Sequence, residues 1–164
     1  YYDLDLKLCD DKKNFAGMRN RFVSTQLYYQ YMYRWRAERK RIKECGRSKS
    51  WDYQMDFALK YYDLYGISPA KNQIKNIGVD EISEHGGTST MNEMTRRFCT
   101  MPSYPLEFPL KHPKEVRIDE VYEKKIGDIL LFPRKQRYKY FVSSFLRDKF
   151  NLPDKPLRKI IMGK

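Results

Sequence analysis

A chain of 164 residues, 41% hydrophobic and 15% aromatic, has the means to bury a core and is not a disordered segment, although 33% of its residues are charged. A net charge of +12 calls for an anionic partner or environment without choosing among nucleic acid, a nucleotide diphosphate and anionic lipid. Cys9, Cys45 and Cys99 are too few and too widely spaced for a disulfide framework or a cysteine-rich zinc site, and no run of 18 apolar residues occurs, so a reducing cytoplasm is the expected location.

Residues 2–8 alternate Tyr2, Leu4, Leu6 and Leu8 with Asp3, Asp5 and Lys7, the period of a half-buried strand that Asp10 and Asp11 would end. From Phe15 to Glu44 there is no proline. Met18, Phe22, Tyr29, Met32 and Tyr33 recur at near-helical intervals, and Cys45-Gly46 supplies a stop, so one or two helices are predicted. The end of this run, residues 34–41, is a basic cluster with Trp35 inside it. It reads either as a phosphate contact or as a solvated face near a helix C-terminus, where cations are favoured.

Ser50 is a good N-cap for a helix in which Trp51, Met55, Ala58, Leu59 and Tyr62 form the apolar stripe, with Gly66 and Pro69 as its stop. Asp52 sits in its first turn and Asp56 four residues on, so two acids share a neighbouring face; Asp56 also has Lys60 available at i+4. Ile67, Ile74, Ile77 and Val79 suit one or two short strands, among the amides Asn72, Gln73 and Asn76. His85 follows, and Gly86 and Gly87 free the backbone for close approach of a ligand or another chain segment.

Met91, Met94 and Phe98 are at helical spacing. Residues 101–113 carry Pro102, Pro105, Pro109 and Pro113 and read as an extended loop in which His112 is a structural or exposed residue. Residues 115–118 suit a short strand, and Asp119 caps a helix bearing Val121, Tyr122, Ile126, Ile129 and Leu130 that Pro133 ends. From Arg134 to Lys164 there are ten Lys and Arg against two Asp, around an apolar stripe of Tyr138, Phe141, Val142, Phe145, Leu146 and Phe150. That pattern fits an amphipathic helix on an anionic membrane and, equally, a terminal helix packed on the domain with a basic outer face.

The string Trp51-Asp52-Tyr53-Gln54-Met55-Asp56-Phe57-Ala58-Leu59, then Gly66-Ile67-Ser68-Pro69, residues 72–79 and Glu84-His85-Gly86-Gly87 resembles the C-terminal part of bacterial nucleotide-diphospho-sugar transferases. These are family 2-like glycosyltransferases of the hemolysin-related and capsular polysaccharide type. The resemblance runs from Tyr1 to about Phe132. It implies an α/β protein, here the C-terminal portion of a GT-A fold, mostly helical with a few short strands. Residues 1–132 would form the acceptor-side part of the catalytic domain, and 133–164 a basic amphipathic tail.

The activity implied is inverting transfer of a sugar from a nucleotide-diphosphate donor to an acceptor hydroxyl, on a glycan or a lipid-linked acceptor, in surface polysaccharide synthesis. Asp52 would be the general base, with Asp56 as second candidate. Trp51, Asn72, Gln73, Asn76, Gly86 and Gly87 would be substrate contacts, and His85 a ligand of the donor's Mn²⁺ or Mg²⁺. Trp51 stands where many relatives carry Glu, and by residue type alone it reads as core. Asp3-Leu4-Asp5 has the form of the family's Asp-x-Asp metal motif but no strand before it to present it, and is not expected to serve.

A basic tail would permit a peripheral position on the inner face of the membrane. The alternative to an enzyme is a basic, tyrosine-rich module that binds nucleic acid or anionic membrane, with aromatics stacking on bases. His85-Gly86-Gly87 resembles an esterase oxyanion loop, but no Gly-x-Ser-x-Gly turn accompanies it.

Overall fold

The computed structural model describes residues 2–75 and 101–153, and over these the protein is mostly helical, with no strand. It divides into two compact units, Tyr1–Tyr65 with Ile118–Lys164, and Gly66–Arg117. Among the described residues the first unit contains five α-helices: α1 (Lys12–Met18), α2 (Thr25–Cys45), α3 (Asp52–Tyr61), α4 (Glu120–Leu130) and α5 (Arg134–Phe150).

Local chemistry sets most helix ends. The Ser24 hydroxyl accepts the Leu27 N–H at the start of α2, and Gly46, at φ +71°, closes it in the left-handed conformation that costs glycine least. Asp119 accepts the Tyr122 N–H at the start of α4. Pro133 both ends the α4 segment and begins α5.

The core is aromatic and centres on Trp35 of α2. Phe57 of α3 meets it edge-on at 5.2 Å, and Phe22 and Tyr31 lie 6.1 and 5.5 Å away. Phe57 also contacts Phe15 of α1 and stacks on Tyr61, so α1, α2 and α3 close over one ring cluster. Trp35 and Phe57 are each only 1% exposed.

Arg21 donates to the Lys60 and Tyr61 carbonyls at the end of α3, while Lys60 Nζ donates to the Arg21 carbonyl at 3.0 Å. The α3 C-terminus thereby gains the cation it favours and is tied to the α1–α2 connection. Gly127 lets α4 approach α2: a Cβ there would lie 2.5 Å from Val23 Cγ2.

Several expectations are corrected. Residues 2–8 are not a strand, because Leu6 takes φ +53° and turns inward to full burial, and a 3₁₀ turn (Lys7–Asp10) follows. The Asp3 carboxylate accepts the Leu8 N–H and Asp5 pairs with Lys7 at 3.1 Å, so both acids of the Asp-x-Asp string are spent locally. Ser50 does not cap α3; its carbonyl accepts the Ser48 hydroxyl, and Trp51 occupies the cap position with no side-chain hydrogen bond.

The buried stripe of α3 is Gln54, Phe57 and Ala58, with Tyr53 and Tyr61 beside it; of the expected stripe Ala58 is buried, while Trp51, Met55 and Tyr62 are exposed. Both stripes have helical spacing, and the rings of Trp35 and Phe15 select the one that carries Phe57. Trp51 is 68% exposed, not core. The turn after α3 is made by Asp63 at φ +55°, three residues before Gly66. Residues 67–75 and 115–118 form no strand.

Part of the basic cluster of α2 is engaged within the fold. Arg39 forks onto Asp10 and donates to the Asp5 carbonyl, Arg36 pairs with Asp148 of α5 at 2.8 Å, and buried Glu38 accepts the Ser48 hydroxyl and the Lys49 N–H. Cys9 is buried, which pushes its thiol up to about 12, with Asp3 and Asp10 adding to the shift; it is a packing residue, not a nucleophile.

The second unit is held in part by Asn72. Its side-chain amide donates to the Ile74 and Pro102 carbonyls, its side-chain oxygen accepts the Ile74 N–H, and its own carbonyl accepts the Tyr104 N–H at 2.8 Å. The proline-bearing segment from Met101 is irregular, as expected. No helix among the described residues is long and apolar enough to cross a membrane.

Candidate functional site

Asp52 and Asp56 stand one turn apart on α3, on the side turned toward Tyr31 and Arg34 of α2. The Arg34 guanidinium lies over the Tyr31 ring at 5.4 Å and the Tyr53 ring at 5.1 Å, an aromatic seat for a cation that delocalises its charge. Burial pushes the Asp56 carboxyl above the ordinary carboxylate value; the Asp52 charge pushes the same way, while Arg34 and Lys60 pull against it. Tyr31 is raised by its burial and by the negative charge of Asp56.

One carboxylate oxygen of Asp52, Oδ1, is buried with no hydrogen-bond partner. A buried carboxylate oxygen usually has its lone pairs satisfied, so this one is a free acceptor beside a second acid. The Asp52 charge adds to burial in raising the Asp56 carboxyl. Asp52 Oδ1 is placed to accept a hydrogen bond from a hydroxyl donor.

Of the other sequence candidates, Trp51 is exposed at the start of α3, next to Asp52, and its carbonyl accepts the Tyr2 hydroxyl. Asn72 and Gln73 lie in the second unit, where Asn72 is occupied with its loop and Gln73 donates to the Lys71 carbonyl. Asn76, His85, Gly86 and Gly87 lie outside the described residues. Among the described residues no group of three or more His, Cys, Asp and Glu converges to hold a metal ion, so Asp52 and Asp56 by themselves do not make a cation site.

The structure also shows a feature that the sequence offered only in pieces. Tyr29 and Tyr33 of α2 and Tyr138 and Phe141 of α5, with Arg134 and Arg137, line an open cleft of about 510 Å³. The aromatic positions of both helices stood out in the sequence. What brings them together is the Gln30 side chain, which donates to the Leu130 carbonyl and accepts the Phe132 N–H, pinning the α4–α5 connection to α2.

Compared with protein-family models, with curated proteins and with solved structures, the chain gives no match.

Proposed function

We propose that this chain is the acceptor-side part of a GT-A-type glycosyltransferase, and that Asp52 is the base that takes the proton of the acceptor hydroxyl. The hydroxyl oxygen attacks the anomeric carbon of a nucleotide-diphosphate sugar, its proton passes to Asp52, and the bond from that carbon to the diphosphate breaks with inversion. The observation that carries the reading is the buried, unpartnered Oδ1 of Asp52 beside a second carboxylate, Asp56, whose proton affinity burial has raised.

In this reading Asp56 adds negative charge that favours proton uptake by the pair, and Arg34 keeps that charge from expelling the helix start from its seat on α2. Trp51, exposed beside the base, offers a flat apolar face to an acceptor sugar ring. A divalent cation, Mn²⁺ or Mg²⁺, would neutralise the departing diphosphate in the complete enzyme. The described acids do not supply its ligand set, and His85 remains the candidate for that role.

Against the alternative, a basic module that binds nucleic acid or anionic membrane, Arg36 and Arg39 of the α2 cluster are engaged within the fold. Transfer from UDP-sugars with Mn²⁺, measured for an N-terminally extended form of the chain, tests the proposal. Asp52→Asn should lower turnover by about 10²–10⁴-fold, the usual contribution of a general base, while donor binding by calorimetry is unchanged. Undiminished transfer by Asp52→Asn sinks the assignment.

A further inference from the structure

The cleft between α2 and α5 carries an inference independent of the sugar-transfer reading. Its volume of about 510 Å³ lies within the range of about 300–1,000 Å³ typical of small-ligand sites. Its walls are mostly aromatic, and among the described residues no acidic side chain lines it. Two arginines line it at the start of α5, where the exposed backbone N–H groups already make the helix end positive.

That start is electrostatically unusual. The first turn of α5 contains no acid and Pro133 gives no side-chain cap, yet Arg134, Lys135 and Arg137 crowd it. Cations are disfavoured at a helix N-terminus, and an anion seated among them would reverse the sign of the interaction. Arg134 and Arg137 both line the cleft at this helix start, so an anion there meets two guanidinium groups.

The rings decide what the anion is attached to. Tyr29 stacks on Tyr33, Tyr33 meets Phe141 edge-on at 5.7 Å, and Phe132 stacks on Tyr140 at 5.6 Å. Ring faces are thus largely used by each other, and two free parallel faces to sandwich a nucleobase are not offered. What remains is the single open ring of Tyr138 with phenol hydroxyls and the Gln26 amide, which suit one-sided packing of the C–H face of a sugar and its hydroxyls. Tyr138, 69% exposed, projects the largest free aromatic surface of this group.

We propose that the α2–α5 cleft binds an anionic saccharide, with its carboxylate or phosphate held by Arg134 and Arg137 and its ring laid against Tyr138 and Phe141. From α2 the cleft is lined by Gln26, Tyr29, Gln30 and Tyr33, and neither Arg34 nor Asp52 lines it, so it acts as a holding site for charged glycan, not as the place of transfer.

The test is calorimetric titration of the chain with a tetra-galacturonate, a neutral oligosaccharide of equal length, a hexose 1-phosphate and a nucleoside monophosphate. Binding of the galacturonate but not of the neutral glycan is expected, weakening as salt is added, and the hexose phosphate distinguishes a phosphate from a carboxylate preference. Arg134→Ala with Arg137→Ala should weaken binding at least tenfold, and Arg134→Lys with Arg137→Lys, which preserves the charge of the helix, should restore part of it.

Asp52→Asn should bind as the parent does, so loss of transfer and loss of this site are separately readable. Equal binding of the neutral glycan, tighter binding of the nucleoside monophosphate, no saccharide binding at all, or indifference to the arginine substitutions would each overturn the proposal.

Discussion

The two faces that α2 turns to its neighbours are built from the same residue types and end in opposite states. Toward α1 and α3, Trp35 is enclosed by Phe22, Tyr31 and Phe57, and the surface is dry. Toward α5, Tyr29, Tyr33 and Phe141 touch one another but leave an open cleft, and α5 buries no residue completely. Aromatic content therefore does not make a core. A ring contributes its full transfer free energy only when other groups enclose it on all sides, and α5 offers α2 edges and ion pairs rather than a cap.

The sharpest way to break this contrast is to truncate one ring on each side. Phe57→Ala removes a side chain that is fully enclosed, and should cost about 3–5 kcal/mol in chemical denaturation. Phe141→Ala, which loses chiefly the edge contact with Tyr33, should cost about 1 kcal/mol. Equal losses at the two positions would show that the α2–α5 face is as tightly packed as the core.

A smaller effect is expected where α4 approaches α2. Gly127→Ala gains about 1 kcal/mol of helix propensity but forces a Cβ onto Val23, whose branched side chain has little freedom to swing away, at a cost of about 1–3 kcal/mol. Net destabilisation of about 1 kcal/mol should appear as a lowered Tm, and Val23→Ala in the same chain should restore it. A stabilised Gly127→Ala would mean that the approach of α4 to α2 is looser than described.

The smallest effect belongs to the surface tie between the 3₁₀ turn and α2. A hydrogen bond from Arg39, assisted by Lys43, holds the Asp10 carboxyl down at about 2, against an ordinary value of 3.8. The folded state thus binds this proton less readily than the unfolded chain, so the tie's contribution is complete above about pH 4 and is lost as pH falls through about 2. Asp10 is 44% exposed, so solvent screening keeps the contribution small. Asp10→Asn should flatten the acid limb of a stability-against-pH curve in that window, lowering stability slightly above it and leaving stability below it unchanged.

How much was readable in the chain depends on the range of each interaction. The end of α2 and the start of α4 were legible because Gly46 and Asp119 act on backbone groups within three or four residues, whereas the Ser24 cap inside the long proline-free run was not singled out. The alternating start misled for the opposite reason: a strand needs a partner strand, and residues 2–8 found a helical layer into which Leu6 could turn. On α3 the period was legible and the phase was not, since choosing between the stripes through Trp51 and through Phe57 required knowing where Trp35 lies. Of the candidate site, the Asp52–Asp56 spacing was legible; its seat against Tyr31 and Arg34, and the unpartnered oxygen, were not.

The sequence by itself determined that the described chain is mostly helical, where α4 begins, where α2 ends, and that two acids stand a turn apart at the start of α3, because these follow from local hydrogen bonds and helical spacing. Only the tertiary structure decided which apolar stripe is buried, that Arg36 and Arg39 are engaged with Asp148 and Asp10, and that aromatics from α2 and α5 line one cleft. Those outcomes depend on residues some thirty to more than one hundred positions apart, and burial and charge pairing are settled by proximity in space.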